Sequence, residues 1–346
     1  MRSKTAVLLL SVLILPLLLS SCGASEPEQV YLVSAVGFDG DVEGITLSIE
    51  VPMSRAGDSK GMECKLFTGR GADAEEALRQ VTVGLSRELT FEHCALMVLG
   101  DGLTAEQSDA VFAFASSGVL LPLAAQVVFT PNARTLLEGG GISSPAAGYD
   151  LPAILRETEE LLGFRTRAQI YELRANDTPE IPTLLPYFIP TQEKATPAAG
   201  FGGLALLRRG ENHILLDVQS CLPYAILADL FHGTDGSAGS IGGGKLHLKS
   251  SSLRGSATEA GITFSLEVFL RADGMSREER EALQAQIECE TVTLFGDLRA
   301  RMSGDVFRFR ERVKGLEEMD AEEFVRMLAT SELTVACRVL GEEART

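Results

Sequence analysis

Residues 72–99 read ADAEEALRQVTVGLSRELTFEHCALMVL, and the two halves of this stretch follow different periods. Ala74, Leu78, Val81, Leu85 and Leu89 recur at spacings of three and four, which places them on one face of a helix predicted over about 72–89. Cys94–Leu99 is an unbroken apolar run of strand length, the pattern of a strand buried on both faces. A buried strand needs neighbours, and the flanking sequence offers them. Tyr31–Asp39 reads as a strand, and Ile45-Thr-Leu-Ser-Ile-Glu-Val51 alternates apolar and polar residues with the period of a half-buried one. Asp39-Gly40-Asp41 between them is turn chemistry, so the pair reads as a hairpin.

Downstream, Thr104-x-x-Gln107 is a capping box that opens a helix carrying Val111, Phe112 and Ala115 inward. Ala124–Phe129 reads as the next strand, and short helices are expected over 131–137, 150–162 and 165–175. This succession places the chain in the α+β class, each domain a mixed or antiparallel sheet packed with helices. Pro179, Pro182, Pro186 and Pro190 fit neither a helix nor a central strand, and mark a boundary. Beyond it, Phe201–Arg208 and His213–Val218 read as two strands, followed by a short helix near 223–231 and a glycine-rich linker, Gly233–Gly244. Lys245–Leu253 and Gly261–Leu270 form a second expected hairpin. Ser276-x-x-Glu279 is a second capping box, opening a long helix with Leu283, Ile287, Leu294, Leu298 and Met302 on one side. Leu333–Val339 is a terminal strand. The expected division is a leader over 1–21, an N-terminal α+β domain over 22–190, a small middle domain over 191–244 and a C-terminal α+β domain over 245–346.

The leader is a lipoprotein signal. Arg2 and Lys4 form a positive n-region, Ala6–Leu19 an apolar run too short to span a bilayer comfortably, and Leu19-Ser20-Ser21-Cys22 a lipobox. Cys22 is the expected lipid-attachment residue and the first residue of the mature chain. A diacylglyceryl group plus an N-terminal acyl chain buries far more methylene than the single chain that binds only marginally, so the body is expected on the outer face of the cytoplasmic membrane. The formal charge of −17 deepens once the leader and its two cations are removed. Such a body repels nucleic acid and anionic headgroups alike, so attachment falls to the lipid and to protein partners.

Cys64, Cys94, Cys221, Cys289 and Cys337 are dispersed, without a C-x-x-C pair, which speaks against a zinc site and against a disulfide framework while leaving one disulfide open. Gly239-x-x-x-x-Gly244-Lys245 matches a phosphate-binding loop only as far as Leu246. It lacks the Ser or Thr that holds magnesium, and the residues that follow alternate as a strand where that loop needs a helix. His93, His213, His232 and His247 are the only histidines. None forms a zinc-hydrolase pair, and no G-x-S-x-G turn occurs. His93 and Cys94 are chain neighbours whose side chains diverge in a strand, and both read as structural. Asp39, Asp41 and Glu43 lack calcium-loop spacing and read as a solvated turn. Asn176-Asp-Thr178 is a loop, and Glu317-Glu318 and Glu322-Glu323 are charge runs on a helix surface. No catalytic, cofactor-binding or metal-ligating residue is assigned.

Several of these segments together resemble the Ger(x)C family, the lipoprotein C subunits of nutrient germinant receptors in spore-forming bacteria. The strand ending in Gly37-Phe38-Asp39 is similar to the family's early strand. Leu85-Ser86-Arg87-Glu88-Leu89-x-Phe91-x-His93 followed by Met97-Val98-Leu99-Gly100 resembles its helix, Phe-x-His turn and strand ending in Gly. Gly203-Leu204-Ala205-Leu206-Leu207 and Asp305-Val306-Phe307-Arg308-Phe309 match two later segments, with Arg308 where the family has glycine. Family members carry Trp-Asp after the lipidated Cys, whereas this chain has Gly23-Ala24 and no Trp. The resemblance implies a three-domain α+β lipoprotein without catalytic activity or cofactor. It would stand beside two membrane-embedded receptor subunits, A-type and B-type, and take part in receptor assembly and signalling during spore germination. Phe91, His93 and Asp305 are then fold-defining positions. The rival reading is the solute-binding lipoprotein of a transporter, which predicts two similar lobes around a cleft.

Overall fold

A computed structural model of the chain describes residues 30–54, 62–118, 120–140, 144–162, 164–166, 168–175, 181–190, 199–208, 210–230, 240–241, 244–258 and 261–341. Strands β1 (Val30–Leu32), β2 (Ala35–Asp41), β3 (Gly44–Ser54) and β4 (Met62–Gly71) precede helix α1 (Ala74–Val83). Then come β5 (Glu88–Thr90), β6 (Leu96–Gly100), α2 (Ala105–Ser116), β7 (Gln126–Thr130), α3 (Ala133–Gly139), α4 (Ala147–Leu162), β8 (Ala168–Gln169) and α5 (Ile170–Ala175). β9 (Thr183–Pro190), β10 (Ala199–Leu207), β11 (Ile214–Leu216) and α6 (Val218–Ala228) follow. The remainder is β12 (Ser240–Ile241), β13 (Gly244–Thr258), β14 (Gly261–Asp273), α7 (Arg277–Arg301), α8 (Phe309–Arg312), α9 (Ala321–Leu328) and β15 (Glu332–Leu340). The architecture is α+β.

The larger sheet has the order β11-β10-β9-β7-β6-β2-β3-β4, with β8 on the side of β7. Its centre is parallel: β2 pairs with β6, and β6 with β7. The paired stretches Ala35–Phe38, Leu96–Leu99 and Val127–Phe129 are apolar because both faces are covered. On one face Val36, Phe38, Met97, Leu99, Val127 and Phe129 pack with α1, α2 and α5. On the other, Ala35, Leu96, Val98 and Val128 pack with Ala133, Leu136 and Leu137 of α3 and Ala147, Leu151 and Leu155 of α4. The smaller sheet runs β12-β13-β14-β15, and β15 lies parallel to β14. Its inner residues Phe264, Leu266, Val268 and Leu270 meet Ile287, Leu294, Phe295 and Leu298 of α7. Leu204, Leu206, Ile214 and Leu216 of the larger sheet and much of α6 belong to that same core. Phe264, Phe295, Phe307 and Phe309 stack at its centre, with Phe264 and Phe309 centroids 4.7 Å apart.

Both capping boxes form. Thr104 accepts from the Gln107 amide while Gln107 accepts from the Thr104 amide, and Ser276 and Glu279 do the same at the start of α7. Other expectations need correction. Asp39-Gly40-Asp41 lies inside β2, and the hairpin turns at Val42-Glu43. The helix expected over 72–89 ends at Val83, because Gly84 follows and Leu89 leaves to pair in β5 while still packing on the same core. β4 has no place in the sequence reading, since an edge strand need not alternate. The proline-rich stretch also forms a strand: β9 pairs with β10 along its whole length, across residue 190. The prolines show in its other edge, where the ladder to β7 shrinks to Phe129↔Tyr187. The strands expected in a separate middle domain therefore extend the first sheet.

Candidate functional site

Cys22 and its lipobox lie outside the described residues, as do Asn176-Asp-Thr178, His232 and most of Gly233–Gly244. The described residues begin at Val30, eight positions after Cys22. β1 pairs parallel with β5, Val30 opposite Glu88 and Leu32 opposite Thr90. The Tyr31 ring lies 5.4 Å from Phe67, with the Arg87 guanidinium 5.3 Å from its centroid. The stretch carrying Arg87, Phe91 and His93 thus surrounds the point where a tether would arrive. Phe91 is buried and His93 exposed, in a turn and not in the expected strand. Cys94 is buried, its Sγ 3.5 Å from the Leu96 carbonyl, and burial pushes its thiol up to about 12. His93 and Cys94 face opposite ways.

Three carboxylates, Glu50 and Asp305 buried and Asp39 partly so, hold helix starts at separate places in the framework. Asp39 accepts from the amides of Ala133 (2.7 Å) and Arg134 (2.9 Å) at the start of α3. Gly100, closing β6, lies against that carboxylate, and a Cβ there would overlap it. Asp305 accepts from the amides of Phe309 (2.8 Å) and Arg310 (2.7 Å), turning the chain so that Phe307 and Phe309 enter the aromatic core. Glu50 accepts from Ser34 Oγ (2.6 Å) and from the amides of Ala147 (2.8 Å) and Gly148 (3.0 Å), the first turn of α4. Burial raises all three carboxyls above their ordinary values despite these donors. Sequence reasoning passed over Glu50 because it sits on the polar side of an alternating strand. Its only signal was a carboxylate facing a helix start almost a hundred residues away.

The remaining chemical candidates resolve into local structure. Arg70 pairs with Asp41 and, at 3.0 Å, with Glu43, while Asp39 points to α3. Among the described residues no group of His, Cys, Asp and Glu is placed to hold a metal ion. Cys64, Cys221 and Cys337 are likewise raised to about 12 by burial, and Cys289 is exposed. Gly244 and Lys245 pair with Ile241 and Ser240 in a hairpin, so strand and not helix follows the glycines. His213 Nε2 lies 2.7 Å from Asp101 and its ring 4.8 Å from Phe129, tying the β10–β11 turn to the end of β6. His247 lies 3.5 Å from Asp273, which also holds Arg271. An open cleft between the β13–β14 turn and α9 is lined by Met319, Met327, Glu323 and Arg326, and the two charged side chains are 3.7 Å apart.

Residues 23–184 match the family model described as the spore germination protein N-terminal domain. No curated protein matches the chain. A solved structure, described as the crystal structure of the GerBC protein, superposes with a TM-score of 0.51 at 10% identity, covering 89% of this chain and 97% of that one. At this identity the likeness is one of fold. Residues 23–184 are thus similar to the spore germination protein N-terminal domain, and the chain as a whole shares its fold with the GerBC protein.

Proposed function

We propose that this chain, whose residues 23–184 match the spore germination protein N-terminal domain, is the lipid-anchored, non-catalytic C subunit of a nutrient germinant receptor. Cys22 would hold it on the outer face of the spore inner membrane, where it takes part in assembly and signalling with the A-type and B-type embedded subunits. One observation carries the reading: the matched family domain begins at residue 23, immediately after the lipobox cysteine. No described helix is long and apolar enough to cross a membrane. Confinement to the membrane plane raises the effective concentration near embedded partners, so a modest protein interface suffices. Strongly raised thiols and carboxylates committed to helix starts support a structural role for the residues that chemistry would otherwise recruit.

Palmitate-analogue labelling and mass spectrometry of the mature chain test the anchor. The expected product begins at an acylated Cys22, and Cys22→Ala leaves the membrane fraction and abolishes the nutrient response. An unprocessed leader, or a soluble Cys22→Ala chain with the nutrient response intact, overturns the proposal.

A further inference from the structure

The tether and the fold together restrict how the body can sit on the membrane. Only residues 23–29 separate Cys22 from Val30. At about 3.3–3.6 Å per residue even a fully extended link keeps β1 within roughly 30 Å of the acylated cysteine. The end of the molecule that carries β1 is therefore held within reach of the bilayer, and it presents exposed apolar side chains there.

Val83, the last residue of α1, is 86% exposed, and Leu32 at the end of β1 is 43% exposed. Val83 lies five residues before Glu88, which pairs with Val30, so both apolar side chains belong to the same end. Tyr31, next to Leu32 in β1, has its ring covered by Arg87, an aromatic body with a cationic lid. Such side chains suit the headgroup level, where one part is apolar and the other hydrated. The charge also differs here. Over residues 79–93, Arg79 and Arg87 offset Glu88 and Glu92, whereas the whole chain carries −17. Residues 79–93 are thus formally neutral and repelled by an anionic bilayer less than the rest of the body, although Glu26 and Glu28 of the link are acidic.

We propose that β1, β5 and the turn at 83–87 form the bilayer-contacting surface of the protein, with Val83 and Leu32 entering the headgroup region beside Tyr31 and Arg87. This rests on acylation of Cys22. It adds an orientation: α1 ends on the membrane, and the β2–β3 turn, whose Val42 is fully exposed at the far end of β2, points away from it.

The absence of tryptophan supplies the test, because an introduced tryptophan is the sole reporter of its kind. Full-length lipidated Val83→Trp, Leu32→Trp and Val42→Trp chains are placed on vesicles of phosphatidylcholine and phosphatidylglycerol, with and without brominated acyl chains. Shallow burial at the headgroup–acyl boundary predicts that the Val83→Trp and Leu32→Trp reporters lose at least about half their emission to the brominated lipid, while the Val42→Trp reporter is unchanged. If the protein floats with the vesicles but the first two reporters are quenched no more than the third, the orientation is wrong and the anchor stands. A blue shift insensitive to bromine would mean that a second copy or a protein partner covers this end, and it overturns the proposal equally. Failure to float overturns both the anchor and the orientation.

Discussion

Replacing Glu50 by alanine tests how much of the N-terminal layer depends on one buried carboxylate. Glu50 is 1% exposed and is the acceptor for two amides in the first turn of α4, as well as for the Ser34 hydroxyl. In Glu50→Ala the hydroxyl can turn to the Glu50 position's own carbonyl, already 3.3 Å away, but the two amides have no replacement acceptor. Each buried donor left unpaired costs about 1–3 kcal/mol, and two amides lose their acceptor. The sum, about 4 kcal/mol, is a large share of the 5–15 kcal/mol typical of a folded domain. Urea unfolding followed by far-ultraviolet circular dichroism should show a midpoint more than about 1 M lower. Glu50→Gln keeps the volume and one acceptor and should cost only about 1 kcal/mol.

The pH dependence carries an independent sign. Burial raises the Glu50 carboxyl above 4.5, so between that value and the folded one the native chain holds a proton that the unfolded chain has released. Its contribution to stability is complete below 4.5 and is lost as pH rises through the folded value. The stability difference between the parent and Glu50→Gln should therefore shrink as pH rises from about 4 toward 7. A Glu50→Ala chain within about 1 kcal/mol of the parent, or a difference that grows with pH, would refute the reasoning.

Arg308 holds φ 57°, a left-handed conformation costing a non-glycine residue about 1–2 kcal/mol, and its pairing with Glu311 is half exposed and worth at most about 1 kcal/mol. Arg308→Gly should thus stay within about 1 kcal/mol of the parent and Arg308→Val should fall about 2 kcal/mol below it in thermal unfolding; equal losses would exclude the strain. Gly203, at φ 130°, sits at the bulge between β9 and β10, where a Cβ would overlap the Leu216 carbonyl oxygen. Gly203→Ala should cost about 3 kcal/mol or more, and a neutral effect on the denaturation midpoint would contradict that geometry. Iodoacetamide at pH 8 should alkylate Cys289 in the folded protein and reach the buried Cys94, Cys221 and Cys337 only in denaturant; peptide mapping that finds Cys94 modified without denaturant would overturn its burial.

Local patterns proved legible where the signal and its cause lie a few residues apart. Both capping boxes, the α7 stripe of Ile287, Leu294 and Leu298, and the β13–β14 hairpin follow from neighbours in the chain. Boundaries were less legible where two local solutions compete, as at Leu89, whose helical spacing yields to pairing of β5 with β1. Position 308 shows both levels at once. The resemblance puts glycine there in the family, but only the backbone explains why, through a left-handed turn closed by Asp305 on the Phe309 and Arg310 amides.

The sequence by itself determined the α+β class, the alternation of buried strands with helices, the acidic body and the expectation of a tether at Cys22. Only the tertiary structure decided that the proline-bearing β9 joins the first sheet, that β15 runs parallel to β14, and that Asp39, Glu50 and Asp305 are spent on helix starts. The reason is range. Periodicity and capping are written within one turn or one hairpin, whereas a carboxylate at position 50 meets its amides at 147 and 148 through packing that no local pattern encodes.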